Sequence, residues 1–177
     1  MFDIRKIQEQ VLFQAVKAES NEATAQKVVD GNREDNPAWV KNSMKRLETS
    51  FDAGAVKKIR MNCQCGYGMD EKLALVKGLM ASATSLEEFA NNDQAHAAGL
   101  FCQDGELYLQ FYFCPCPMLA EVDRLETNSW CQCTTGYSKV LFEKAFGCKV
   151  GVELLKSVKM GDDICLMKII PVGEIQF

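Results

Sequence analysis

Three closely spaced cysteine pairs constrain this chain more than any other feature. They are Cys63-Gln64-Cys65, Cys114-Pro115-Cys116 and Cys131-Gln132-Cys133. Both sulfurs of such a pair can converge on one soft metal ion, whereas a disulfide within the pair closes a small, strained and redox-active ring. The chain has nine cysteines, and an odd number does not fit a fully paired disulfide framework. The pairs therefore indicate metal-binding or redox chemistry.

Length, charge and hydropathy narrow the class of protein. A chain of 177 residues can bury one substantial core. A net charge of −4 argues against a nucleic-acid surface. The chain contains no run of about 18 apolar residues, so we expect no membrane span. The segment Met1–Lys6 is amphipathic, so we expect no signal peptide and a cytoplasmic location, where thiols stay reduced.

Hydrophobic periodicity predicts a helical part over residues 1–97. A stripe at helical spacing begins at Ile4, and a second helix is expected to be capped by Ser20 or Asn21 and to end at Gly31. Asn36-Pro37 predicts an N-cap followed by the first helical residue. Asp52 predicts the cap of a further helix, and the segment 84–87 predicts a capping box.

The period changes in the Cys-rich part, residues 98–177. Two apolar runs flank Asp104-Gly105, which is a strong hairpin signal. A helix is expected from near Thr134 to Gly147, followed by a second hairpin that turns at 159–162. The sequence thus predicts one α+β domain, in which N-terminal helices pack on a four-stranded antiparallel sheet made of two hairpins with a helix between them.

A tetrahedral zinc site is the first chemical interpretation of the cysteines. Zinc prefers four ligands, and the thiols of the second and third pairs supply that number: Cys114, Cys116, Cys131 and Cys133. An iron–sulfur cluster held by the three pairs is an alternative, although the usual Cys-x-x-Cys-x-x-Cys run is absent. Unmetallated redox or nucleophilic thiols, and cysteines that are merely buried, remain further alternatives.

A thiol-dependent enzyme is the main catalytic alternative. Cys131 and Cys133 precede a predicted helix, whose dipole would favour a thiolate, so they are the best candidate nucleophiles. The only histidine, His96, lies in a polar segment with no motif that ties it to a cysteine, and we expect it on the surface.

Glu153 has two interpretations. If the last hairpin turns near Gly161, Glu153 lies opposite Lys168 and forms a cross-strand ion pair; otherwise it is available to a metal or a substrate. On the first hairpin, Phe111 and Phe113 share one strand face and are candidates for the core or for a pocket wall.

The C-terminal half resembles the 4-vinyl-reductase-type, or hydrocarbon-binding, domain, and a Cys-rich bacterial branch of it. The same module is similar to trafficking-complex subunits that bury an acyl chain and to L-2-amino-thiazoline-4-carboxylic acid hydrolase-like proteins. The resemblance covers about 80 residues. It is carried by Trp130, Cys131, Gly136, the segment 142–147, Val150-Gly151-Val152-Glu153, Gly161-Asp162 and Cys165.

That resemblance implies an α+β fold around a small apolar pocket, which binds a small apolar or amphipathic molecule, and it implies homodimers. We expect Phe111, Phe113, Trp130 and Tyr137 to line the pocket. In sensor members of the family a zinc ion is held at positions that correspond to Cys131 or Cys133, Glu153 and Cys165. Lys156 replaces one cysteine of that pattern, so another thiol has to substitute or the site has been lost.

Two functions follow from these observations. The first is a small-molecule-binding or sensing domain with a cysteine-based, zinc-like metal site, without nucleic acid or membrane partners. The alternative is a thiol-dependent hydrolase that acts on a small amide or thiazoline-like substrate. A chain that serves only as an interaction module is the third possibility.

Overall fold

The structure, a computed structural model, describes all 177 residues and confirms the predicted α+β fold. Eight α-helices accompany one four-stranded antiparallel sheet. The chain forms two compact units. Unit 1 contains Met1–Cys65, Cys114–Gly136 and Lys159–Gly161, and unit 2 contains Gly66–Phe113, Tyr137–Val158 and Asp162–Phe177. This division differs from the predicted one after residue 97, because each unit takes segments from both parts of the chain.

Unit 1 is built mainly from four helices. They are α1 (Ile4–Glu19), α2 (Glu22–Val29), α3 (Asn36–Ser50) and α4 (Ala53–Met61). Each begins at a side-chain cap that satisfies a free backbone N–H of the first turn. Asp52 caps α4 as the sequence predicts, and of the two candidates Ser20 and Asn21 it is Asn21 that caps α2. The α3 cap is Asp35 rather than Asn36, because the Asp35 carboxylate accepts from Ala38 N and Asn36 is already helical.

The apolar faces of these helices form the core of unit 1. Further buried side chains come from the segment that follows the second cysteine pair, which includes a 3₁₀ turn at Pro117–Leu119. The fully buried large residues of this core include Leu12, Trp39, Leu47, Ile59, Met118, Leu119 and Trp130.

Unit 2 contains three helices before its first hairpin. They are α5 (Met69–Ala81), α6 (Leu86–Ala90) and α7 (Asp93–Ala97). The capping box of α6 lies one residue later than predicted: Ser85 caps the helix, and the Glu88 carboxylate accepts from Thr84 N at 2.8 Å. Helix α7, which the sequence did not predict, carries His96 on the protein surface.

The sheet of unit 2 joins the two predicted hairpins. Its strands are β1 (Leu100–Gln103), β2 (Glu106–Phe111), β3 (Lys149–Lys156) and β4 (Cys165–Val172), in the order β1-β2-β4-β3. Asp104 and Gly105 both have positive φ, as a two-residue hairpin turn requires. The second connection begins with a 3₁₀ turn at Val158–Met160.

Helix α8 (Gln132–Phe146) has its first five residues in unit 1 and continues in unit 2. In unit 2 its apolar side chains, among them Phe142 and Phe146, join the buried core formed by α5 and the sheet. Gly147 ends this helix with a φ of 70°, as predicted. None of the eight helices combines the length and apolar character needed to cross a membrane.

Candidate functional site

All three cysteine pairs belong to unit 1, although more than sixty residues separate the first from the last. The first pair follows the end of α4, the second lies in the segment before the 3₁₀ turn, and the third lies at the start of α8. Cys63, Cys131 and Cys133 are buried, and Cys65, Cys114 and Cys116 are half-buried. All nine cysteine side chains are thiols in the structure.

Gly136 lets the first and third pairs approach each other. A Cβ at this position would lie 2.7 Å from Met61 Cα and would overlap the Met61 carbonyl, so only glycine allows the first turn of α8 to meet the end of α4. At this contact the Cys133 thiol donates to the carbonyl oxygen of Cys63 at 3.0 Å. The Cys63 thiol in turn donates to Ile59 O at 3.1 Å.

The Cys133 thiol is strongly desolvated and close to other thiols. Burial raises the pKa of Cys133 from its ordinary 9.0 to about 12; the charge of Arg60 opposes this rise, and Cys63, Cys116 and Cys65 add to it. Cys133 therefore lies within electrostatic range of both thiols of the first pair and of Cys116 of the second. Burial also raises the pKa of Cys63, against the opposing charge of Arg60. The predicted thiolate at Cys133 is wrong for the metal-free protein, because desolvation outweighs the helix dipole.

This raised pKa makes the stability of the metal-free protein depend on pH. Above pH 9 a cysteine in the unfolded chain has lost its proton while Cys133 in the folded protein keeps it, so the free energy of unfolding falls as pH rises. Between about pH 8 and about pH 10 we expect the wild type to lose about 1.4 kcal/mol more of its free energy of unfolding than Cys133→Ala loses. Urea unfolding from about pH 8 to about pH 10, with chelator and without oxygen, measures it.

The half-buried Cys148 of unit 2 provides the matched control. Cys148→Ala should keep the steep wild-type slope. Equal slopes for the wild type and Cys133→Ala would show that the Cys133 thiol is not desolvated.

Arg60, near the end of α4, is the one fully buried charged side chain of this site, with 0% of its surface exposed. Its guanidinium lies over the ring of Trp130, 4.2 Å from the ring centroid, and Nη2 donates to Trp130 O at 3.0 Å. Trp130 packs edge-on against Trp39 with ring centroids 5.7 Å apart. The Nε and Nη1 atoms of Arg60 have no oxygen acceptor, and a hydrogen bond between the guanidinium and the Cys63 thiol acts to lower the pKa of Cys63.

The six cysteines of the three pairs, called the cysteine cluster below, offer ligands that fit a soft metal ion, but their thiols are not arranged around one. Cysteine sulfur is a ligand type that zinc and similar ions favour. Within unit 1, however, no three cysteine, histidine or acidic side chains lie close enough together to hold an ion. Metal binding would therefore require cysteine side chains to turn toward a common point.

Glu153 and Cys165 lie in unit 2 and do not converge with each other. Cys165 points to the same face of β4 as the buried Met167, whereas Glu153 lies opposite Lys168, which points to the other face. The predicted register is thus confirmed, but Lys168 forms its ion pair with Glu106 of β2 at 2.6 Å. The Cys165 sulfur accepts from Val158 N at 3.4 Å.

The four residues expected to line a pocket are distributed over both units. Trp130 is a core residue of unit 1. In unit 2, Phe113 is 66% exposed and its ring lies 6.1 Å from that of the half-buried Phe111. Tyr137 donates through its hydroxyl to Tyr67 O at 2.8 Å. A pocket formed by these residues stays a prediction.

Two features of this cluster were missed by sequence reasoning. The first pair, Cys63 and Cys65, was left out of the expected ligand set, although its spacing matches that of the other two pairs. Nothing in the sequence indicated that Arg60 is buried, because an arginine near the end of a helix normally points to solvent and interacts with the helix dipole.

The structure is that of an α+β protein in which one compact unit carries all three cysteine pairs. The chain belongs to the Family of unknown function (DUF6144), which it matches over residues 1–176. No curated protein and no solved structure gave a match.

Proposed function

We propose that this protein is a non-catalytic domain that binds a soft metal ion, zinc in the first place, through thiolates of its Cys-x-Cys pairs. The observation that carries the proposal is the gathering of all three pairs in one compact unit, with Cys133 in electrostatic range of members of the other two. The remaining cysteines, Cys102, Cys148 and Cys165, belong to unit 2 and are unpaired in sequence.

The burial pattern of the six thiols supports binding of an ion from solution. Half-buried Cys65, Cys114 and Cys116 are accessible to an incoming ion, and the buried thiols would complete its coordination away from water. Zinc forms four bonds to thiolate sulfur at about 2.3 Å and displaces the thiol protons as it binds. A high pKa is therefore compatible with metal ligation, although it disfavours an uncomplexed nucleophile.

The alternative of a thiol-dependent hydrolase has less support. Cys133 is 7% exposed with a pKa of about 12, and Cys131 is 9% exposed. A nucleophilic cysteine needs a thiolate that a substrate can reach. His96, the only histidine, lies on the surface of α7 in unit 2.

We further propose that the metal centre serves a small-molecule-binding or sensing domain in a reducing compartment such as the cytoplasm. This part rests on the resemblance of the C-terminal half to hydrocarbon-binding domains and on the odd number of nine cysteines, which does not fit a fully paired disulfide framework. A small apolar or amphipathic ligand and a homodimeric state belong to the same proposal.

Metal analysis combined with a thiol count tests the metal site. Protein purified anaerobically without chelator should contain about one zinc per chain, with about four thiols protected until the protein is denatured. Cys133→Ser should lose the zinc, because it removes a thiol that interacts electrostatically with members of both other pairs. Cys148→Ser, which changes a half-buried thiol of unit 2, should keep it.

The opposite result is equally clear. Native protein that contains no metal, takes up none from a zinc buffer and exposes all its thiols to a titrating reagent would exclude the metal site. Iron and sulfide in place of zinc would assign the same thiols to an iron–sulfur cluster.

A further inference from the structure

The outer face of the sheet in unit 2 carries apolar side chains that are not part of the core. The helices of unit 2 pack on the inner face of the sheet. Along β4 the side chains that alternate to the outer face are Leu166, Lys168, Ile170 and Val172, and three of these four are apolar. An antiparallel sheet with one solvated face normally carries polar residues there. Strand β4 is therefore patterned like a strand that is covered on both faces.

The neighbouring strands extend this apolar patch. Phe101 of β1 and Tyr108 of β2 are cross-strand partners on the outer face, and their rings stack with centroids 5.2 Å apart. Both rings are half-buried, as are Leu166 and Ile170, and Val172 is 63% exposed. Contiguous apolar surface of this kind marks a place where another molecule binds.

Charges of both signs are interspersed on the same face. Lys168, at its centre, forms the ion pair with Glu106 at 2.6 Å and lies opposite Glu153. Lys149 and Lys156 of β3 also lie on this face, by their register with β4. Three ammonium groups and two carboxylates leave a charge of only +1, which is too small to select a polyanion or a polycation. The mixed pattern instead suits a second copy of the same face.

Gly151 lies in the middle of β3, and nothing within the chain requires a glycine there. Its φ is outside the left-handed region, and a Cβ would meet Ile170 Cβ at 3.7 Å, an ordinary contact. Glycine weakens a strand interior and often marks a place where another backbone approaches closely. Lys149 and Glu153 lie two residues to either side of it on the same face. A two-fold axis at Gly151 therefore places Lys149 of each copy over Glu153 of the other.

The free edge of β3 is a less suitable place for a second copy. This strand is at the edge of the sheet, but the Val150 N–H already donates to the Glu143 carboxylate at 3.2 Å. Val150 and Val152 are only 2% and 5% exposed. An added strand needs free backbone groups along the edge, so we assign the second copy to the outer face.

We propose that a second copy of this chain packs on the outer sheet face, about a two-fold axis at Gly151, so that two sheets form a β-sandwich. The inference rests on the homodimer in the proposed function and names its surface. The sheets would lie about 10 Å apart, with the apolar side chains of β4 between them. Four strands of this length offer roughly 400–500 Å² per copy. A standard interface buries about 800 Å² per partner, so the dimer is reversible rather than permanent.

Sedimentation of the full, reduced chain from low to high micromolar concentration measures the dimer dissociation constant. Ile170→Lys places a charge in the centre of the face and should raise this constant by about 100-fold or more. Its circular dichroism and thermal midpoint should stay close to those of the wild type, because the Ile170 side chain lies outside the core.

A charge exchange tests the two-fold axis. Lys149→Glu and Glu153→Lys should each raise the dissociation constant by about 10-fold, because each reverses two pairs in the dimer. The double variant restores opposite charges and should return to within about threefold of the wild type. Lys77→Glu makes the same change of charge at an exposed position of α5, which packs on the inner face, and should change the constant by less than about twofold.

The outcomes separate this inference from the proposed function. A wild-type dimer that Ile170→Lys leaves intact would overturn this face and keep the homodimer. Failure of the charge exchange to restore the dimer would overturn the axis at Gly151. If Ile170→Lys does not fold, the charge variants alone decide.

A wild-type chain that stays monomeric at every concentration would contradict both this interface and the proposed homodimer. If that monomer binds phosphatidylcholine vesicles and Ile170→Lys does not, the face belongs to a lipid surface instead. Zinc content, measured on the same samples, tests the metal site separately from the interface.

Discussion

Gly136→Ala should lower the free energy of unfolding by about 3 kcal/mol or more. The added methyl group would overlap the backbone of Met61, 2.7 Å from its Cα, and a backbone atom cannot move aside as the end of a flexible side chain can. The end of α4 and the start of α8 would have to separate. Chemical denaturation followed by tryptophan fluorescence measures the loss, since both tryptophans, Trp39 and Trp130, are buried in unit 1.

The same substitution should also impair metal binding. The Gly136 contact holds Cys133 against the Cys63 carbonyl and so brings the first and third cysteine pairs together. Gly54→Ala is the matched control, because a Cβ at Gly54 meets only the Asp52 carboxylate at 3.5 Å within the first turn of α4. It should be neutral or stabilising by up to about 1 kcal/mol. Equal stabilities of Gly136→Ala and Gly54→Ala would show that the two helices do not meet at this glycine.

Trp130→Ala should cost about 3–5 kcal/mol of stability. The indole is 1% exposed, packs edge-on against Trp39 and covers the guanidinium of Arg60. Truncation leaves a large cavity and removes the aromatic face that stabilises a buried cation. Urea unfolding of the metal-free protein gives the difference, with circular dichroism as the probe because the substitution removes a fluorophore.

Two further variants separate the contributions of the ring. Trp130→Phe keeps an aromatic face beneath Arg60 and should lose less than half as much stability as Trp130→Ala. Tyr112→Ala removes an aromatic side chain that is 78% exposed and should change stability by less than about 0.5 kcal/mol. If Trp130→Ala cost as little as Tyr112→Ala, the assignment of Trp130 to the core of unit 1 would be wrong.

The elements that local sequence determines were predicted well. The Asp104-Gly105 turn, the Asp52 cap and the end of α8 at Gly147 each depend on a few neighbouring residues with specific backbone preferences. The errors at helix caps are single-residue shifts, whereas the short helix α7 was not predicted and α8 begins two residues earlier than expected, at Gln132. At α3 and α6 two adjacent residues can both act as caps, and the hydrogen bonds made by Asp35 and Glu88 decide between them.

The candidate site depends on contacts that local patterns do not encode. The cysteine spacing indicated a metal site, but the meeting of the first and third pairs depends on the close approach of Gly136 to Met61, 75 residues away in the chain. The burial of Arg60 depends on Trp130, 70 residues away. Side chains alternate between the two faces of a strand, so Glu153 and Cys165 can lie on the same face or on opposite faces. The strand register decides between these, and the observed register places them on opposite faces.

X-ray absorption at the zinc edge tests the central claim most directly. The reduced protein, loaded with one equivalent of zinc and freed of excess metal, should show a shell of about four sulfur atoms at about 2.3 Å and no nitrogen or oxygen neighbour. Cys133→Ser should lose this signal, and Cys148→Ser should keep it. A first shell of nitrogen and oxygen at about 2.0–2.2 Å would contradict a thiolate metal centre.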